Sequence, residues 1–214
     1  MRQDRITPES DGAKLGRGRV VALTGTIAGG KSTFGKILEE KGWAVIDADA
    51  IVHRLYARGA EGHRKLVDAL GESILSSSKD LDRGLLAATM IRDSSVYATV
   101  NHLIHPLVRK TWKSEVGESL CLHPRRCVAV IIPLLFEVGV EESFDGKVMI
   151  GCRAEISRRR LSERGLSPEA ADFWIGKQWP AEKKAQACDQ VLWNEGSLEL
   201  LRDQAERWAG SQRN

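Results

Sequence analysis

No apolar run in this chain approaches the ~20 residues that a membrane-spanning helix needs. No membrane partner is therefore expected. Cysteine is scarce, with only Cys121, Cys127, Cys152 and Cys188. None belongs to a Cys-x-x-Cys pair and no histidine stands at metal spacing from them, which excludes a zinc module or a disulfide scaffold. Cys127 and Cys152 fall in or beside apolar runs and read as small core residues. This usage suits a reducing, cytoplasmic setting. A charge excess of one sign is also missing. Lys and Arg total 32 against 29 acidic residues, and a net charge of +3 is too weak to imply a nucleic acid partner. Residues 1–18 are polar and lack an apolar signal core, so they are expected to form a flexible N-terminal extension. There is no internal repeat and no low-complexity tract, and nothing calls for an obligate protein partner.

What is present points to one globular core. Hydrophobic residues make up 42% and charged residues 29%, the balance of a folded domain rather than a disordered chain. The strongest local signal is Gly25-Thr26-Ile27-Ala28-Gly29-Gly30-Lys31-Ser32-Thr33. It has the spacing of a phosphate-binding loop. It also sits where such a loop works, between the apolar run Val20–Leu23 and a helical pattern. Gly25, Gly29 and Gly30 let the backbone curl so that successive N–H groups face an anion. The positive end of the following helix adds to that field. Lys31 supplies a point charge for the outer phosphates, and the Ser32 hydroxyl can ligate magnesium. A nucleoside triphosphate is the implied ligand. A GTP-driven switch is disfavoured, because no Asn-Lys-x-Asp sequence occurs.

Apolar, non-alternating segments separated by helical patterns predict a parallel sheet covered on both faces. They lie at 19–24, 43–46, 127–135, 147–152 and 190–193. A helix is predicted over 31–41, stopped by Gly42. The expected architecture is an α/β phosphate-loop nucleoside triphosphate hydrolase fold, with five parallel strands flanked by helices in one domain, 19–214. Its core would be 19–49, 127–152 and 188–214. Residues 50–126 exceed one crossover and should form a helical substrate-binding insertion, with 76–80 as an exposed loop and a helix bent at Pro106. Residues 153–187 would form a lid. Ser167-Pro168 and Pro180 each open a helix there, and Ser197 opens the last helix. Trp43, Trp193 and Trp208 fit core positions, whereas Trp174 and Trp179 could contact a base or simply pack.

Two carboxylates follow the second strand. Asp47 and Asp49 would share a face if strand geometry continued. One could then accept a proton while the other orients magnesium-bound water. They could instead only cap a helix beginning near Ala50. Arg158-Arg159-Arg160 and Arg164 put cations on the lid, with Arg160 and Arg164 on one helix face. Guanidinium groups suit the spread charge of a transferring phosphoryl group. His105 precedes Pro106 inside a helical pattern and is either structural or part of a substrate pocket.

In combination these motifs resemble the dephospho-coenzyme A kinase family. The resemblance runs from Val20 to about Trp208. It rests on VALTGTIAGGKST, WAVIDADAIVH ending at His53, LDR at 81–83, NHLIHPLV at 101–108 and IPLLFE at 132–137. Arg160, Arg164, Gln178 and Asn194-Glu195-Gly196 follow in the expected order. The resemblance implies transfer of the γ-phosphate of ATP to the ribose 3′-hydroxyl of dephospho-coenzyme A. Another phosphate-loop small-molecule or nucleotide kinase is the alternative. It further implies Asp49 as base, acting with Lys31 and Arg160. Gly25, Ala28, Gly29, Gly30, Lys31, Ser32, Thr33, Arg160, Arg164 and Asn194 would bind ATP. Asp47, Asp49, His53, Arg83 and His105 would bind the acceptor, and Ser32 and Asp47 would hold Mg2+. Two departures stand out. Many relatives carry an Asp shortly before the IPLLFE-type run, where this chain has Val130-Ile131-Ile132, and Trp174 replaces a frequent Arg.

Overall fold

The five apolar segments become β1 (Val20–Thr24), β2 (Ala44–Asp47), β3 (Val128–Ile131), β4 (Gly146–Gly151) and β5 (Gln190–Trp193). The structure, a computed structural model, describes residues 18–212, so the expected N-terminal extension lies outside the described residues except for Gly18. The strands form one sheet in the order β2-β3-β1-β4-β5, with every neighbouring pair parallel. The helices run from α1 (Lys31–Glu40), α2 (Ala48–Leu55), α3 (Glu61–Leu70) and α4 (Arg83–Arg92) to α5 (Ser94–Leu122). They continue with α6 (Ala154–Glu163), α7 (Pro168–Gly176), α8 (Ala181–Ala187) and α9 (Leu198–Ser211). Two compact units result. One holds the chain through Asp47 and from Glu115 onward, the other Ala48–Ser114.

In the sheet unit, β1 and β3 are buried at every position, because helices cover both faces. On one face, Val21, Leu23, Ala129, Ile131, Val148 and Ile150 pack against Phe34, Ile37 and Leu38 of α1 and Leu201, Ala205 and Trp208 of α9. Trp208 closes this core with ring centroids 5.1 Å from Trp43 and 5.7 Å from Phe34. Trp193 departs from its expected core position and is 43% exposed. It lies on β5, an edge strand.

Strand β3 ends at Ile131, four residues before the expected Leu135. The apolar continuation Ile132–Leu135 belongs to a buried loop, which hydrophobicity alone does not distinguish from strand. The helix caps match the expectation: Ser167 accepts from Ala170 N and Ser197 from Leu200 N, both at 3.3 Å.

Helix α5, which begins in the second unit, continues through Pro106. Proline removes one backbone donor, and the length of this helix outweighs that loss. His105 is half-buried on α5, and this burial pushes its pKa below the ordinary value of 6.5. Its neutral form therefore contributes stability above the unfolded pKa, and that stability is lost as pH falls through the folded one. Thermal melts should show a smaller drop in Tm from pH 7 to pH 5 for His105→Gln than for the parent. Equal drops would place the acid sensitivity elsewhere.

Among the described residues, no helix is long and apolar enough to cross a membrane. The four cysteines are all free thiols.

Candidate active site

All five strands point their carboxyl ends the same way, and the strands that follow the adjacent β1 and β3, namely β2 and β4, lie on opposite sides of that pair. The crevice outside such a switch point is where open α/β sheets bind ligands. Here it is flanked by the loop 25–30 after β1 and the loop 132–140 after β3.

The loop 25–30 has the curl its glycines suggested. Gly25 has φ 139° and Gly30 φ 101°, and Ala28 also adopts a positive φ of 55°. A Cβ at Gly25 would overlap the carbonyl of Ile150, and one at Gly30 the amide of Asn194. Gly30→Ala therefore meets both a left-handed backbone and a buried neighbour. It should weaken ATP binding by more than about tenfold, the consequence of ~1.4 kcal/mol or more of misplacement. Titration calorimetry with a non-hydrolysable ATP analogue checks this.

The loop's carbonyls are held in sequence. Thr26 O accepts from Lys31 Nζ at 2.7 Å and from Gly29 N at 3.0 Å. Ile27 O accepts from Ser157 Oγ at 2.8 Å, Ala28 O from Arg160 at 3.0 Å and Gly29 O from Asn194 Nδ2 at 2.9 Å. In a trans peptide the N–H points opposite to the carbonyl that precedes it. Holding the carbonyls of Ile27 and Gly29 therefore turns the N–H groups of Ala28 and Gly30 away from Ser157 and Asn194, as an anion-binding nest requires. Lys31 is 8% exposed and also reaches Gly25 O at 3.4 Å. Ser32 is exposed and Thr33 half-buried in the first turn of α1.

The Arg-bearing segment is fastened to this loop. Besides Ala28 O, the Arg160 guanidinium donates to Asn194 O at 3.0 Å, and Asn194 itself is buried against Gly30. Arg160 thus braces the loop, whereas Arg164 is exposed at the end of α6. Arg158 pairs with Asp172 at 2.8 Å, joining α6 to α7. Trp174 packs edge-on against Phe173, and Trp179 stacks on Phe136 with centroids 5.3 Å apart.

Sequence reasoning missed Lys184 and Glu137. Lys184 is fully buried, its Nζ 3.0 Å from Glu137 Oε1 and 2.6 Å from Pro133 O. Burial pushes the Lys184 pKa down, and the Glu137 carboxylate partly offsets this. Removing one partner of such a pair typically costs ~3–5 kcal/mol. A lysine on a short polar helix gives no sequence signal of burial. The one clue was that Glu137 closes an otherwise apolar run.

The half-buried Asp47 ends β2 level with Ile131 of β3, and Ile131 is in turn level with Leu23 of β1. Strand geometry does not continue past it. Helix α2 begins at Ala48, two residues before the expected Ala50, and the exposed Asp49 lies in its first turn. The shared strand face expected for the two carboxylates is therefore absent. In the second unit, an Arg83 guanidinium nitrogen lies 2.8 Å from His53 Nδ1, so those two expected substrate residues meet.

The Dephospho-CoA kinase family profile matches residues 19–199. A dephospho-CoA kinase of Symbiobacterium thermophilum is 36% identical over 190 residues, covering 88% of this chain and 79% of the relative. Among solved structures, TT1252 from Thermus thermophilus is 31% identical with a TM-score of 0.73, covering 91% of this chain and 98% of that one. The dephospho-CoA kinase from Campylobacter jejuni is 26% identical with a TM-score of 0.65, covering 90% and 96%.

Proposed function

This chain belongs to the dephospho-CoA kinase family, and from that premise we propose how its residues divide the work of phosphorylating the ribose 3′-hydroxyl of dephospho-coenzyme A with ATP. The observation that carries the reading is the phosphate loop, whose carbonyls are held outward by Ser157, Arg160 and Asn194. The freed N–H groups and Lys31 receive the β- and γ-phosphates. In the transfer, the 3′-oxygen forms a bond to the γ-phosphorus as the bond to the β–γ bridging oxygen breaks. The electron pair leaves on ADP, and the hydroxyl proton passes to the Asp49 carboxylate. His53, Arg83 and His105, all on the second unit, are read as acceptor-binding residues.

Magnesium, when bound, neutralises phosphate charge. Among the described residues no three His, Cys, Asp or Glu side chains cluster to cage a metal. One hydroxyl, Ser32, and one carboxylate, Asp47, are the donor set of an ion that arrives on substrate phosphates. These two would hold it.

Residues 153–187 are read as the lid. Ser157, Arg160, Gln178 and Lys184 tie both ends of that segment to the loops after β1 and β3. Closure should therefore be confined to the stretch 161–177 that carries Arg164. Hydrogen exchange there should slow when ATP is added. Protection limited to the phosphate loop would leave a static basic face instead.

The test of the activity is direct. Purified protein, magnesium-ATP and dephospho-coenzyme A should yield coenzyme A and ADP, identified by mass. ADP formation without coenzyme A would contradict the reading. A cytoplasmic site of action without membrane or nucleic acid partners fits this chemistry.

A further inference from the structure

Pro133 opens the loop after β3, beside the phosphate loop at the switch point of the sheet. Three side chains converge on its carbonyl: Lys184 Nζ at 2.6 Å, Thr24 Oγ1 at 3.3 Å and Gln178 Nε2 at 3.5 Å. Thr24 is the last residue of β1 and is fully buried. The other end of the Gln178 amide reaches the phosphate loop, where Oε1 accepts from Ile27 N at 2.8 Å. A single side-chain amide thus spans the two loops that flank the crevice. Lys184 fixes the far end of this bridge, and Glu137 fixes Lys184 while also accepting from Trp179 N at 2.6 Å. The Phe136–Trp179 stack seals the same contact.

We propose that Gln178 and Lys184 are positioning residues of the phosphate site, acting through Ile27 and Pro133. Neither needs to touch a phosphate. Gln178 holds the Ile27 N–H on the side away from the nest, while Ser157 holds the Ile27 carbonyl at 2.8 Å. The plane of each peptide flanking Ile27 is then fixed from outside, and the next N–H, that of Ala28, is aimed without help from the ligand. Lys184 keeps the amide in place by anchoring Pro133 O, so the bridge cannot swing as a unit. A nest aimed in advance loses less conformational freedom on binding. The inference rests on the reading of loop 25–30 as the triphosphate site.

Two variants test it. Gln178→Met keeps side-chain length and removes both hydrogen bonds. The double variant Lys184→Met/Glu137→Gln removes the ammonium without leaving a buried carboxylate unpaired, so it should still fold. The first readout is hydrogen exchange over residues 25–30 without nucleotide. It should accelerate in both variants while exchange in α9 stays as in the parent. The second is the Kd for a non-hydrolysable ATP analogue, expected to rise about tenfold for loss of two modest hydrogen bonds. The KM for dephospho-coenzyme A should stay within about twofold. A role in stability alone would lower Tm and leave loop exchange and nucleotide Kd near the parent values, and that result would overturn the proposal. Failure of the triphosphate reading has a different signature, namely no analogue binding by the parent protein, while loop exchange still reports on positioning.

Discussion

Asp49→Asn is expected to slow phosphoryl transfer by ~10²–10⁴-fold, the usual contribution of a positioned general base. The substitution keeps the shape of the side chain and one hydrogen-bond acceptor, and it removes the charge and the basicity. ATP affinity should be largely retained, because in the proposed arrangement the loop 25–30 and Lys31 receive the phosphates. Acceptor affinity should change less than turnover, because a hydroxyl can still bond the Asn carbonyl. Asp47→Asn should behave differently and raise the magnesium concentration needed for half-maximal rate. The local structure sharpens the contrast. Asp47 is the last residue of β2 and half-buried, whereas Asp49 is exposed in the first turn of α2. Single-turnover kinetics of both variants across magnesium concentrations decide the assignment. If Asp49→Asn reacts like the parent while Asp47→Asn is inactive, the base is Asp47.

Lys31→Ala should cost ~10²–10³-fold in turnover, equivalent to ~3–4 kcal/mol of lost transition-state charge stabilisation. Charge builds on the γ-phosphoryl oxygens during transfer, and the Lys31 ammonium is the cation that loop 25–30 carries next to the proposed phosphate site. Its Nζ now lies against the loop's own carbonyls, Thr26 O and Gly25 O. These bonds keep the ammonium beside loop 25–30, where the proposed phosphates would sit. Tm should fall by only a few degrees, since polar contacts within the loop are lost and the aliphatic core of α1 is untouched. Steady-state turnover and a thermal melt on the same preparation check both halves. Near-native turnover would show that the loop's N–H groups suffice without the lysine.

The features legible in the sequence are those that local chemistry dictates. The phosphate loop depends on glycines at fixed offsets between a strand and a helix, and Gly25 and Gly30 take the positive φ values that spacing required. The β5 range 190–193 and the caps Ser167 and Ser197 were readable for the same reason, as each rests on neighbours in the chain. The end of β3 was not readable, because Ile132–Leu135 is as apolar as a strand but bends away into a buried loop. The break between Asp47 and Asp49 was missed because strand gives way to helix without a glycine or proline to mark it.

The sequence by itself determined that a parallel sheet would carry an anion-binding loop, because apolar runs and glycine spacing act over a few residues. Tertiary structure decided which side chains would hold that loop. Ile27 meets Gln178, Ala28 meets Arg160 and Gly29 meets Asn194 across more than a hundred residues of chain. The order β2-β3-β1-β4-β5 brings them together. It also leaves Trp193 exposed on an edge strand, and the packing of α8 buries Lys184 against Glu137. The side-chain chemistry of arginine, tryptophan or lysine fits several such positions equally well, and only the long-range pairing of strands selects among them.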